Sequence, residues 1–187
     1  SPPYCYRCPY HQTYPNCQLQ CAQELQTVIN RLGKENVAAF ICEPVIGAAG
    51  AAISPPPGYM VTIKQICEKN DILFIVDEVM TGVGRTGKML ACEHDAITAD
   101  LVTLGKGISG GYTPIAATIV SEKVMQPIEE GTGSVMSGHT FSANPLSCAV
   151  AGAVIDYIEK NKVMEKVETK GQYLRKALER LQVAFPF

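Results

Sequence analysis

The sequence predicts an α/β fold, a mainly parallel sheet flanked by helices. Three observations predict it. Short apolar runs without alternation, such as Ile72-Leu-Phe-Ile-Val76, have the pattern of strands covered on both faces. Longer stretches carry apolar residues at helical spacing. The two kinds alternate along the chain, which is the order of a sheet built with helical crossovers.

Taken in order, residues up to about 16 are rich in Pro, Tyr and Cys and lack any period, so they are expected to be irregular. Residues 19–32 place Ala22, Leu25, Val28, Ile29 and Leu32 on one helical face, and Gly33 stops the helix. Val37-Ala-Ala-Phe-Ile-Cys42 is a buried-strand run, which Pro44 prevents from continuing. Residues 47–58, rich in Gly, Ala and Pro, form a loop. Residues 59–70 return to helical spacing through Met60, Ile63, Ile66 and Cys67. The strand at 72–76 follows, then Leu101-Val-Thr-Leu104 and Ile115-Ala-Ala-Thr-Ile-Val120 as two further strands. Residues 144–158 make an Ala-rich helix, with Pro145 in its first turn. Residues 162–181 make a second amphipathic helix. Val163, Val167, Tyr173, Leu174, Ala177 and Leu181 are expected to face inward, with Glu and Lys outside. The abrupt start and end lead to the expectation of a piece of a longer polypeptide.

The chain has 187 residues, enough for one sizeable core. Its apolar fraction of 47% and charged fraction of 18% are those of a globular protein rather than a disordered one. The net charge is −2 and the basic residues are scattered, so no nucleic-acid or anionic-membrane footprint exists. No apolar run approaches the length of a membrane span. Eight cysteines are many for this length. Cys42, Cys67, Cys92 and Cys148 stand singly in apolar surroundings and read as small core residues. That usage favours a reducing compartment, so a cytoplasmic location is expected.

Two residues carry the strongest chemical signal. Asp77 directly follows the apolar run 72–76, so it stands at the carboxyl end of a strand, the edge where α/β sheets bind ligands. Lys106 stands in Leu104-Gly-Lys-Gly-Ile-Ser-Gly-Gly-Tyr112, after another apolar run and between two glycines. Glycine neighbours let a flat ligand approach the lysine closely. A place at the mouth of an apolar strand should also strip water from it, which favours a nucleophilic amine able to form a Schiff base. One strand–connection–strand passage separates the two, so both belong at the same sheet edge. An aldehyde-bearing pyridine ring needs this pair: a lysine for the aldehyde and an acid to keep the ring nitrogen protonated.

Glu43-Pro-Val, Asp77-Glu-Val-Met-Thr-Gly-Val-Gly-Arg-Thr-Gly87, Asp100-Leu-Val-Thr-Leu-Gly-Lys-Gly-Ile-Ser-Gly-Gly111 and Gly138-His-Thr-Phe-Ser-Ala-Asn-Pro145 occur in that order. They resemble the successive blocks of the class III (omega-) aminotransferases, of pyridoxal-phosphate fold type I, from about residue 37 to the end. The resemblance implies part of that fold's large domain and the cofactor pyridoxal 5'-phosphate. It implies transfer of an amino group from an amine or amino acid to a 2-oxo acid. An aminomutase or decarboxylating enzyme of the same family is the nearest alternative. Lys106 would form the Schiff base and shuttle the proton, and Asp77 would pair with the ring nitrogen. Val79 would cover one ring face. Met80 takes a position where many members carry Gln, beside the ring hydroxyl. Thr140 would reach the cofactor phosphate of a neighbouring subunit, which implies a homodimer. Glu43 matches a glutamate near the substrate.

The same resemblance divides the chain into a Cys/Pro-rich entry segment with its helix (1–36), a partial cofactor-binding large domain (37–160), and a helix leading to an absent small C-terminal domain (161–187). A phosphate-cradling loop, a ring-stacking aromatic and a carboxylate-binding arginine are expected to lie outside these residues. The chain alone is therefore expected to show little or no turnover.

Two other readings compete. The acidic strand end at Asp77-Glu78, with Gly82-Val-Gly-Arg-Thr-Gly-Lys88 after it, imitates nucleotide-binding motifs. But Met89 stands where a magnesium-binding hydroxyl is needed, and the order of the motifs is reversed. Cys5, Cys8, Cys17 and Cys21, with His11 between them, have the spacing of a structural zinc site. His94 and His139 are expected to be structural, and Arg85 to anchor a glycine loop.

Overall fold

The computed structural model describes residues 3–186. Helix α1 (Gln20–Leu32) buries Ala22 and Ile29, two turns apart on one face, and ends where Gly33 takes a φ of 82° that a side chain would resist. Strand β1 (Ala39–Cys42) follows. Helix α2 (Tyr59–Asn70) buries Tyr59, Met60, Ile63, Ile66 and Cys67, the stripe of a core-facing helix. Asp71 closes it in a left-handed conformation, donating its N–H to the carbonyls of Cys67 and Glu68. The chain then turns directly into β2 (Leu73–Asp77).

The sheet has the order β1-β2-β3-β4, with β3 at Leu101–Leu104 and β4 at Ala117–Val120. β1, β2 and β3 are parallel, with Cys42 opposite Val76 and Asp77 opposite Thr103. β4 returns antiparallel, so Leu104 faces Ala117. The α/β class holds, with three parallel strands and one antiparallel edge. Phe74 and Val76 are buried with α1 and α2 in the main core. Leu73 and Ile75, on the other face of β2, are only half-buried. β2 is therefore fully covered on one face and not on both as expected, because α1 and α2 pack on the same side. Val102 and Leu104 of β3 enter a second cluster with Ile108 and Ala151.

Asp100 ties the parts together. Its Oδ2 accepts the Phe74 N–H at 2.8 Å, its N–H reaches the Phe74 carbonyl at 2.9 Å, and its Oδ1 pairs with Lys123 Nζ at 3.3 Å. Lys123 lies in α3 (Glu122–Glu130), a helix that the sequence reading did not anticipate. Pro127 interrupts its pattern and reads as a breaker. It stands inside the nine-residue helix all the same, where it forgoes one N–H bond.

Helix α4 (Pro145–Lys160) starts as expected, with Pro145 at the first position and the Asn144 side chain accepting the Ser147 N–H at 3.1 Å. Helix α5 (Val163–Ala184) is present, but its inward face is not. Val163, Val167 and Ala177 are half-buried, whereas Tyr173, Leu174 and Leu181 are exposed, Tyr173 by 79%. The first turns of α5 meet the loop after β2, where Met164 lies against Gly84. Cys67 and Cys92 are buried as read, Cys42 is half-buried, and Cys148 is exposed rather than in the core. No helix among the described residues is long and apolar enough to cross a membrane.

Candidate active site

The carboxyl ends of β1, β2 and β3 lie side by side, and the predicted site residues follow them. Asp77 is the last residue of β2, half-buried. Its Oδ1 accepts the Val79 N–H at 3.0 Å and the Thr103 Oγ1 hydroxyl at 3.2 Å. One carboxylate oxygen is thus fixed by the chain, while Oδ2 has no hydrogen bond with a described residue. Thr103 went unrecognised in the sequence, although it is the one hydroxyl in the apolar strand 101–104.

Lys106 opens a short 3-10 turn, Lys106–Ser109, directly after β3 and Gly105. Its φ of 42° is in the left-handed region, where a side chain costs roughly 1–2 kcal/mol. Strain of this kind concentrates at functional sites. Lys106 is exposed, so the loss of hydration expected from its place after an apolar strand is absent here. The strained turn carries the side chain outward.

Val79 covers Gly105. A methyl on that glycine would meet Val79 Cγ1 at 3.3 Å. Met80 lies against Gly47, where an added methyl would meet its Cγ at 2.7 Å. Glu43 Oε2 accepts the Gly47 N–H at 2.9 Å, so Glu43 and Met80 meet over one glycine. Asp77, Val79, Met80, Glu43 and Lys106 therefore share one sheet edge. Thr140 does not join them by any hydrogen bond. It is exposed on a turn closed by the Ser142 N–H to the His139 carbonyl, and no described residue hydrogen-bonds to it.

The nucleotide reading fails on geometry. Residues 82–88 form turns with positive φ at Val83, Gly84 and Gly87 and lead into the 3-10 turn Ala91–Asp95. A phosphate loop must open an α-helix, whose N-terminal amides hold the anion. His94 caps this loop structurally, its Nε2 lying 3.1 Å from both the carbonyl and the hydroxyl of Thr86. Arg85 is exposed, and its side chain bonds to no described residue, so the anchoring expected of it is missing. Cys5, Cys8, Cys17 and Cys21 line one small cavity, all as free thiols. Burial is the main reason that the Cys21 thiol is pushed up from its ordinary pKa. Among the described residues, no group of three or more His, Cys, Asp or Glu is placed to hold a metal.

An acid with one open oxygen and an exposed lysine between glycines thus stand at one edge of the sheet, after its neighbouring parallel strands β2 and β3. The chain belongs to the class III aminotransferases, matching the family Aminotransferase class-III over residues 2–185. It is 48% identical over 179 residues to the uncharacterized aminotransferase YodT of Bacillus subtilis, covering 96% of this chain and 40% of that protein. It is 39% identical to an adenosylmethionine-8-amino-7-oxononanoate aminotransferase of Geobacter sulfurreducens, again over 96% of this chain and 40% of the relative. In structure it resembles a thermostable (S)-enantioselective omega-transaminase from Thermomicrobium roseum, with TM-score 0.90 and 38% identity, over 97% of this chain and 40% of the other. An amine transaminase from an uncultivated Pseudomonas species, solved in a PLP-bound form, gives TM-score 0.91 at 36% identity, over 98% and 42% of the two chains. The chain thus spans about two fifths of the length of these relatives.

Proposed function

We propose that this chain is the cofactor-holding core of a pyridoxal-phosphate-dependent aminotransferase. The complete enzyme moves an amino group from an amine or amino acid to a 2-oxo acid, with the cofactor attached to Lys106 as a Schiff base. The observation that carries this reading is the pairing at one sheet edge of Asp77, with one oxygen fixed and one open, and Lys106, exposed between Gly105 and Gly107. Family membership and the PLP-bound neighbour indicate pyridoxal phosphate as the cofactor.

The residues present fit that group. Gly105 and Gly107 put no side chain of their own beside Lys106, and Val79 and Met80 supply apolar surface. When bound, the cofactor supplies a sink for the electron pair left as a substrate amine loses its α-proton. Asp77 Oδ2 would hold the proton on the ring nitrogen, a role that suits a carboxylate already anchored through Oδ1. Lys106 Nζ would hold the aldehyde and later carry the α-proton. Val79 would cover one ring face. Met80 would sit beside the ring hydroxyl as an apolar neighbour, since a thioether accepts hydrogen bonds only weakly. Glu43 would stand at the substrate end. Thr140, exposed on its turn, would reach the cofactor phosphate of a neighbouring subunit, which makes the working unit a homodimer. Residues 37–160 would form the large-domain core, 1–36 its entry segment, and 161–187 the helix towards a small domain. Eight free thiols suit a reducing cytoplasm.

A titration with pyridoxal phosphate tests this reading. Visible absorption should rise saturably as the cofactor binds the lysine, and Lys106→Ala should remove it. A saturable signal that survives Lys106→Ala would overturn the assignment.

A further inference from the structure

Glu78 is fully buried at the rim of the site, and nothing in the proposed chemistry uses it. Its Oε1 accepts the Cys92 N–H at 2.8 Å, and its Oε2 accepts the Thr81 hydroxyl. Its own carbonyl accepts the Gly82 N–H at 2.8 Å, and its N–H reaches the Thr103 carbonyl of β3 at 2.9 Å. One residue therefore holds both ends of the loop 78–92. A buried carboxyl with a donor on each oxygen is a costly group to lose, because each donor would then be left unpaired.

That loop is packed against the turn that carries Lys106. A methyl on Gly82 would lie 2.8 Å from the Glu78 carbonyl and 2.9 Å from Leu104 Cδ2. A methyl on Gly105 would meet Val79, and one on Gly107 would meet Val83 Cβ at 3.5 Å. Residues 79, 82 and 83 thus brace positions 104, 105 and 107, on both sides of the lysine. Cys92 reports the same enclosure. Burial, with the Glu78 charge next, pushes its thiol up to about 12.

We infer that Glu78 is a positioning residue: through Thr81 and the Cys92 N–H it clamps the 78–92 loop, and through Val79, Gly82 and Val83 that loop fixes the Lys106 turn. The importance of this for catalysis rests on the proposed role of Lys106, but the clamp itself does not. Glu78→Gln should preserve it, since the amide oxygen accepts the Cys92 N–H while the amide nitrogen donates to a rotated Thr81 hydroxyl. Glu78→Ala should release it.

Hydrogen exchange on the 187-residue chain, with no cofactor added, is the test. In Glu78→Ala, amides of 79–83, of Cys92 and of 105–109 should all exchange faster, by about tenfold, the scale of one lost buried hydrogen bond. Glu78→Gln should restore protection at both places. Faster exchange in the 78–92 loop with no change at 105–109 would overturn the inference, as would Glu78→Gln behaving like Glu78→Ala. If Glu78→Ala fails to fold, Thr81→Val decides, since it removes one bond and keeps the carboxyl. Faster exchange at 105–109 then supports the clamp and unchanged exchange overturns it. Borohydride trapping of pyridoxal phosphate on the same variants separates the two ideas. Failure of the unsubstituted chain to trap would count against the Lys106 reading and leave the exchange result standing.

Discussion

The places of Lys106 and Asp77 at the sheet edge were legible because each residue follows an apolar run, where the chain must leave the sheet. Their supports were not. Thr103 bonds Asp77 only because β2 and β3 pair with Asp77 opposite Thr103, and register between strands is not written in either strand alone. Glu78 looked like half of an acidic pair, yet it points into the protein and clamps a loop, while Asp77 stays at the edge. The glycines of this region also differ in kind. Gly82 is held by space rather than by φ, since a side chain there would strike the Glu78 carbonyl at 2.8 Å. Gly82→Ala should therefore destabilise the fold by about 1–3 kcal/mol, the usual cost of overpacking a tight site. Chemical denaturation measures it, and an unchanged midpoint would mean that the loop moves aside freely.

At the scale of elements, periodicity was a good guide to type and a poor one to burial. Helix α2 was read to its residue, because a buried stripe, a left-handed closing residue and the next strand all agree. Helix α5 shows the same spacing, yet its apolar residues Tyr173, Leu174 and Leu181 are exposed, since spacing records that a face is apolar and not what covers it. Helix α3 was invisible because Pro127 is a strong local signal that tertiary contacts override: Lys123 is drawn to Asp100, and the Ser121 N–H to the Asp100 carbonyl. β4 was found as a strand, but its antiparallel direction was not, because direction depends on how the chain returns. The reading of β2 as covered on both faces failed for the same reason as that of α5.

For the whole molecule, the main core lies between α1, α2 and the β1–β2 half of the sheet, and the buried thiols belong to that side. Burial pushes the thiols of Cys42 and Cys92 up to about 12 and that of Cys67 up to about 11, from an ordinary value of 9.0. The folded chain then keeps protons that the unfolded chain releases. These thiols leave stability untouched below about pH 9, and stability falls as pH rises from there towards about 12. Denaturation midpoints at about pH 8 and about pH 10.5 should show the drop, and Cys92→Ser should reduce its slope. A flat profile would mean that the three thiols ionise as readily in the fold as out of it.

The central claim is that the chain holds pyridoxal phosphate at Lys106, at the edge shared with Asp77. Borohydride reduction of the chain incubated with the cofactor, followed by peptide mapping, tests it most directly. The expected result is one added cofactor mass on the peptide that contains Lys106, lost in Lys106→Ala. Label confined to another lysine, or equal label in Lys106→Ala, would contradict the claim.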